Sequence, residues 1–241
     1  GMIEDQHIDP LAAGLRALLP PGYAKTVGFL IPARAMTQQL IDWYENEHSV
    51  YASFMWPHMR RYQRNYIVDV RRGPSPLYKV ISEFCWKDEE QKRMIISHFS
   101  TEVAARTLNE VLPEFVIVPF PEGGYFLAPV DERQVATGKR VLRHDEPRRR
   151  KIILLRRGDG VAASSFEASA ADYARQLAGE LPDVDVGVDF RRESATVPAP
   201  ADAVLFIDAE PNQFLPEPEA EAIEIANIFD VLTLRSPIKE D

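Results

Sequence analysis

His48 is the first side chain in this sequence that could carry out chemistry. Tyr44, His48, Tyr51 and Met55 recur at spacings of four, three and four residues, so they share one face of a predicted helix. The other members of this face are aromatic or apolar, which indicates that it is turned inward. A buried imidazole can donate or accept a proton near neutral pH. The same pattern also fits a core histidine held by a carboxylate or a carbonyl group.

Glu83 is the carboxylate that we expect beside His48. It lies in the middle of a predicted strand, and a carboxylate is costly to bury unless it has a partner. Pairing with His48 would orient the imidazole ring and raise its basicity. The alternative is a structural ion pair with Arg60, Arg61 or Arg64.

The strand that precedes Glu83 offers polar side chains on both of its faces. Tyr62, Arg64 and Tyr66 share one face, and Gln63 and Asn65 lie on the other. Alternation alone does not show which face lines a pocket. Tyrosine hydroxyls can hold or protonate a phenolic or carbonyl substrate, or the same rings can simply pack across the strands.

The elements that position these residues follow the order β-α-β-β-α-β. Strands are predicted over 26–31, 62–70, 79–86 and 115–120, with helices from 37 to about 55 and from 88 to about 112. Asp88 with Gln91 gives the second helix a capped start. This order is the ferredoxin-like arrangement.

The second half of the chain shows the same order with a different sequence. Strands are predicted over 151–156, 184–190, 203–207 and 229–234, with helices over 164–181 and about 217–225. The longer helix carries an apolar stripe suited to packing on a sheet, formed by Phe166, Ala170, Tyr173 and Leu177.

The two halves together predict an α+β fold of tandem ferredoxin-like (βαββαβ) units that form an α+β barrel with antiparallel sheets. Each sheet would cover the bare face of the other within one chain, as an intrachain pseudo-dimer. The predicted parts are an N-terminal helical segment (1–25), a first domain (26–130), a linker (131–150) and a second domain (151–241). A further homodimer through the N-terminal segment remains open.

The composition of the chain limits which binding partners and which cellular compartment we expect. The net charge is −9, and the acidic second half argues against nucleic acid or an anionic membrane as a partner. No apolar run approaches the roughly 20 residues of a membrane helix. Cys85 is the single cysteine, which excludes an internal disulfide and fits a cytoplasmic protein. No metal-ligand spacing or cofactor motif occurs, so we expect no metal and no cofactor.

Three segments of the first half together resemble the EthD family of the dimeric α+β barrel superfamily. They are an aromatic-rich helix that ends in His48, an R-Y-x-x-N strand containing Tyr62 and Asn65, and a strand in which Glu83 is followed by aromatic residues before an Asp-capped helix. The resemblance covers about residues 26–128. It implies a pocket between the helices and the sheet.

The resemblance also implies an enzyme that acts on a hydrophobic, aromatic or polyketide-like small molecule. His48 would be the general acid or base and Glu83 its partner. The substrate contacts would be Tyr44, Tyr51, Tyr62 and Asn65. The reaction would be proton transfer, as in a dehydratase or an isomerase, or cofactor-independent oxygenation. The alternatives are a non-catalytic binding or accessory protein of a degradation pathway, and a haem-binding barrel with His48 as the axial ligand.

Overall fold

Seven stretches of the chain are described by the structure, which is a computed structural model. They are residues 24–30, 37–49, 59–99, 125–136, 147–181, 186–191 and 200–235. The predicted N-terminal helical segment, the predicted strand over 115–120 and Tyr51 lie outside them.

The first half contains four described strands and two helices. They are β1 (Ala24–Leu30), α1 (Gln38–Trp43), β2 (Met59–Arg72), β3 (Val80–Trp86), α2 (Glu89–Phe99) and β4 (Tyr125–Ala136). Helix α1 continues as a π-helical segment over Tyr44–His48. The predicted cap of α2 is confirmed, since the backbone N–H of Gln91 donates to Asp88 Oδ1 at 2.9 Å.

The second half contains four further strands and one long helix. They are β5 (Arg148–Arg157), α3 (Ala163–Glu180), β6 (Val186–Arg191), β7 (Ala203–Ile207) and β8 (Ile223–Arg235). Strands β4 and β5 both extend into the segment expected as a linker over 131–150.

The short helix predicted over about 217–225 is wrong, because these residues form a turn and then the start of β8. Ile223 and Ile225 are buried while Glu224 between them is exposed, which is the period of a strand. Pro216, just before this span, and Pro218, inside it, also disfavour a helix there.

The eight strands close into one barrel in the order β1-β3-β2-β8-β5-β7-β6-β4. The first half contributes β4-β1-β3-β2 and the second half β8-β5-β7-β6, with β2 joined to β8 and β6 joined to β4. Every pairing between these strands is antiparallel. The predicted α+β barrel with antiparallel sheets is therefore confirmed.

The barrel buries apolar side chains on both faces of its wall. The interior is filled by residues from both halves, among them Phe29, Ile81, Ile152, Phe206 and Phe229. On the outer face, α3 packs over the strands of the second half. The predicted stripe Phe166, Ala170, Tyr173 and Leu177 is buried in that contact, as expected.

Within the described stretches, no helix combines the length and apolar character that crossing a membrane requires.

Candidate functional site

The register of β2 and β3 decides which side chains share a face. Tyr62 lies opposite Phe84, and Arg64 lies opposite Ser82, whereas Gln63 lies opposite Glu83. Directly paired residues of an antiparallel ladder point to the same side of the sheet. The tyrosine face of β2 therefore lies under the helical segment that carries Tyr44, and the face with Gln63 and Glu83 points into the barrel.

Aromatic side chains fill the space between this helical segment and the sheet. The hydroxyl oxygens of Tyr44 and Tyr62 are 2.9 Å apart, and each of these residues is 1% exposed. The Tyr62 ring stacks on Phe84 with the ring centroids 4.6 Å apart, and Phe84 stacks in turn on Trp86. Tyr66 packs edge-on against Tyr44. We call these five residues the aromatic layer.

Glu45 links the helical segment to the sheet at the edge of the aromatic layer. Arg64 donates to both oxygens of Glu45, from Nε at 2.7 Å and from Nη2 at 2.8 Å. The Tyr66 hydroxyl also donates to this carboxylate. The Arg64 guanidinium lies over the Tyr62 ring, 4.7 Å from its centroid, in a cation–π contact. Arg64 thus contacts both the Glu45 carboxylate and the ring of Tyr62.

Tyr62 and Tyr66 are held in their protonated form. Burial raises the pKa of Tyr62, against the opposing effect of the Arg64 charge. Burial also raises the pKa of Tyr66, and the negative charge of Glu45 raises it further. Burial lowers the pKa of Arg64, but its bond to Glu45 and the nearby charges together outweigh this and leave the pKa raised. At neutral pH the site therefore offers neutral hydroxyl donors beside a fixed positive charge.

His48 is the last residue of the π-helical segment, and its side chain lies outside what the structure describes. Tyr51 lies outside the described stretches as well. Their predicted roles as acid or base and as substrate contact stay predictions.

Glu83 lies in the barrel interior, on the opposite face of the sheet from the aromatic layer. Its Oε1 accepts from Lys25 Nζ at 2.8 Å, and its Oε2 accepts from Asn65 at 2.9 Å and from Arg150 at 3.3 Å. The Gln63 amide also donates to Oε2. Burial alone would raise the pKa of Glu83, but the charges of Lys25 and Arg150 hold it well below its usual range.

These contacts separate the predicted site residues into two groups. Tyr44 and Tyr62 meet in the aromatic layer, whereas Glu83 and Asn65 meet each other inside the barrel. The arginine that pairs with Glu83 is Arg150, which comes from the second half of the chain. The expected contact between Glu83 and His48 is not among the described ones and stays a prediction.

Glu45 is the site residue that sequence reasoning missed. It directly follows Tyr44, and neighbouring residues of an α-helix do not share a face, so the spacing gave it no role. The helix changes to π-helical geometry at Tyr44, and both side chains contact β2. Such segments are frequent at functional sites, but the sequence has no signal that locates one.

The described side chains form no cluster of metal ligands. They contain no group of three or more His, Cys, Asp or Glu residues that could hold a metal ion. In the second half, the space between α3 and the sheet is filled by the chain's own apolar side chains, and the sequence has no histidine after His144. The Tyr173 hydroxyl there is committed to the Pro216 carbonyl at 2.7 Å. The described residues of the second half therefore do not fit a haem.

Solved structures share this architecture at low sequence identity. An anthrone oxidase-like protein matches with a TM-score of 0.54 and 10% identity, over 90% of this chain and 94% of that one. A monooxygenase-like protein from Lactobacillus acidophilus NCFM matches with a TM-score of 0.45 and 8% identity, over 88% and 94% of the two chains. Chlorite dismutase from Candidatus Nitrospira defluvii matches with a TM-score of 0.46 and 10% identity, over 92% and 95%.

The likeness to the anthrone oxidase-like protein is one of fold. The chain has the fold of the dimeric α+β barrel proteins, with both halves of the barrel in one polypeptide. No sequence profile of a protein family matches the chain, and no curated protein sequence matches it. The resemblance of the first half to the EthD family therefore stays a prediction.

Proposed function

We propose that this protein is an oxygenase that acts on a hydrophobic aromatic small molecule bearing a carbonyl or phenolic oxygen. The observation that carries the proposal is the pair of buried hydroxyls of Tyr44 and Tyr62, 2.9 Å apart within the aromatic layer. When a substrate oxygen takes the place between them, each hydroxyl can donate one hydrogen bond to it, while Phe84 and Trp86 offer stacking surfaces to the substrate rings. The fold shared with an anthrone oxidase-like protein makes an anthrone the substrate to test first.

The proposed chemistry begins with loss of a proton from the methylene carbon of the anthrone. The electron pair left behind is delocalised onto the carbonyl oxygen, which becomes an enolate. Neutral hydroxyl donors beside a fixed positive charge stabilise such a developing oxyanion, and Tyr62 with Arg64 supplies both. We assign the proton-accepting role to His48, on its position in the helical segment that carries Tyr44.

Molecular oxygen is the oxidant in this proposal. It takes electrons from the enolate and bonds to the former methylene carbon, and the resulting peroxide anion takes back the proton held by His48 to give a hydroperoxide. Loss of water from the hydroperoxide then forms the second carbonyl group. One anthrone and one O₂ yield one anthraquinone and one water, so no further reductant is required.

Entry of the substrate requires the helical segment to move relative to the sheet, because the two hydroxyls fill the space between them. Glu45 tethers this segment to β2 through Arg64 and Tyr66. Within the proposal, the first half is an EthD-like unit and the second half is a structural copy that closes the barrel. We also expect the protein to work in the cytoplasm.

Oxygen consumption with anthrone tests the proposed function. The purified protein should consume O₂ and form anthraquinone faster than buffer alone. Tyr62→Phe should lower kcat by about 100-fold, as expected for loss of one donor to an oxyanion. Tyr173→Phe is the matched control, because it removes a buried hydroxyl from the second half and should leave kcat near that of the wild type. Equal losses in the two variants would contradict the assignment.

Non-catalytic ligand binding is the second candidate function. Glu45 favours it, because this carboxylate already accepts hydrogen bonds from Arg64 and Tyr66 and is not available to a substrate proton. The substrate proton must then be accepted by His48, or the site has no base and does not catalyse the reaction. Binding of anthraquinone by the wild type without any oxygen consumption on anthrone would support this candidate. Turnover that His48→Ala abolishes, with anthraquinone binding retained, would exclude it.

A further inference from the structure

One end of the barrel interior is lined by charged side chains from both halves of the chain. The cations are Lys25, Arg61, Arg148 and Arg150, and the carboxylates are Glu83, Asp189 and Asp208. Arg61 belongs to this group because it lies opposite Cys85 in the ladder of β2 and β3, and Lys25 lies opposite Cys85 from the other side.

The described carboxylates are already committed to other cations. Glu83 pairs with Lys25 at 2.8 Å and with Arg150 at 3.3 Å. Asp189 pairs with Lys25 at 2.8 Å. Asp208 pairs with Arg148. Arg61 influences Glu83 through space but is not bonded to it.

Arg61 is the cation that is left over. It is 4% exposed, and its Nε is fully buried with no hydrogen-bond acceptor among the residues described. A buried guanidinium without a partner is costly, because the charge has lost its hydration and gained nothing in exchange. Such a group marks a position where an anion from outside the chain would be stabilised.

We propose that this end of the barrel interior binds the carboxylate group of a small molecule at Arg61. The planar guanidinium offers parallel N–H groups that match the two oxygens of a carboxylate. A carboxylate bound there would give Arg61 the counter-charge that Glu83, Asp189 and Asp208 give to the other cations. The site lies on the opposite face of the sheet from the aromatic layer, so it is independent of the proposed oxygenase.

Acetate is the probe for this site, with unfolding by urea as the readout. In a zwitterionic buffer, acetate at ten times its dissociation constant should lower the unfolding equilibrium constant about 11-fold in the wild type. Arg61→Met should show less than a twofold response at the same concentration. Arg93→Met is the matched control for general salt effects, because Arg93 is exposed on α2, and it should respond like the wild type. Broadening of the ¹³C resonance of labelled acetate should follow the same order.

The stability of Arg61→Met without acetate keeps the proposal falsifiable. Removing an unpaired buried charge should leave this variant at least as stable as the wild type. A variant that fails to fold, or that unfolds much more readily, would show that Arg61 has a partner within the chain and would overturn the proposal. Absence of an acetate response in the wild type, or an equal response in Arg61→Met, would also overturn it.

Discussion

Replacing Glu83 with glutamine should destabilise the barrel strongly, because this carboxylate joins the two halves of the chain from inside. It bonds Lys25 of β1 and Arg150 of β5, and both of these cations are buried. Glutamine keeps the shape of the side chain and removes its charge. The two cations would then lose their shared counter-ion in a buried position, where hydration compensates little.

The magnitude follows from the burial of the group. Removing one partner of a buried ion pair costs about 3–5 kcal/mol, because the remaining charge is left without compensation. Lys25 keeps Asp189 as a partner at 2.8 Å, so we expect the lower part of this range. A loss of about 3 kcal/mol is a large share of the 5–15 kcal/mol that is typical of a folded domain.

Urea unfolding followed by circular dichroism measures this loss. Glu224→Gln is the matched control, since Glu224 is exposed on β8, and it should change the free energy of unfolding by less than about 1 kcal/mol. A Glu83→Gln variant within 1 kcal/mol of the wild type would refute the reasoning, because the network would then contribute little to stability.

A second check is how the difference in free energy of unfolding between the wild type and Glu83→Gln depends on pH. Folding lowers the pKa of Glu83 from its ordinary value of 4.5. The contribution of the Glu83 carboxylate to the free energy of unfolding is therefore fully present above about pH 4.5. Below that pH the unfolded chain takes up the proton before the folded chain does, and the contribution is progressively lost. The difference between the two proteins should therefore shrink as the pH falls below 4.5. A difference that stays constant or grows would contradict the assignment.

Three further substitutions test other parts of the fold. Leu177→Ala removes a fully buried side chain between α3 and the sheet and should cost about 2–5 kcal/mol in urea unfolding, whereas a cost below 1 kcal/mol would contradict the packing of α3. Glu45→Gln leaves Arg64 without its counter-ion and should cost about 1.5–3 kcal/mol, and an unchanged stability would mean that the tether is not formed. Asp88→Ala removes the cap of α2 and should cost about 1 kcal/mol, with Asp88→Asn expected to retain most of the stability.

Much of the fold can be predicted from short-range patterns in the sequence. The capped start of α2 at Asp88 and the apolar stripe of α3 depend on neighbours within a few residues, and both are present. The start of β8 depends on strand pairing with β5, which no local pattern reveals. The predicted helix there is also disfavoured by Pro216 and Pro218, which precede Ile223.

In the site, too, the residues that could be predicted depend on patterns within one element, and those that could not depend on contacts between distant strands. Tyr44 and Tyr62 could each be chosen as site residues because each lies on a recognisable face of its element, but their contact with each other could not be predicted. The barrel face of β2 could not be assigned, since Asn65 and Tyr66 are equally compatible with burial. The partners of Glu83 were missed because Lys25 and Arg150 come from strands that meet it only after the barrel closes. Charge pairing across a barrel depends on register, which alternation does not fix.

Formation of ¹⁸O-labelled anthraquinone from anthrone under ¹⁸O₂ tests the proposed oxygenase most directly. The initial rate should exceed that of spontaneous oxidation, with one labelled oxygen per quinone, and Tyr62→Phe should lower the protein-dependent rate about 100-fold. A protein-dependent rate that Tyr62→Phe leaves unchanged, or a wild-type rate no higher than that of buffer alone, would contradict the account.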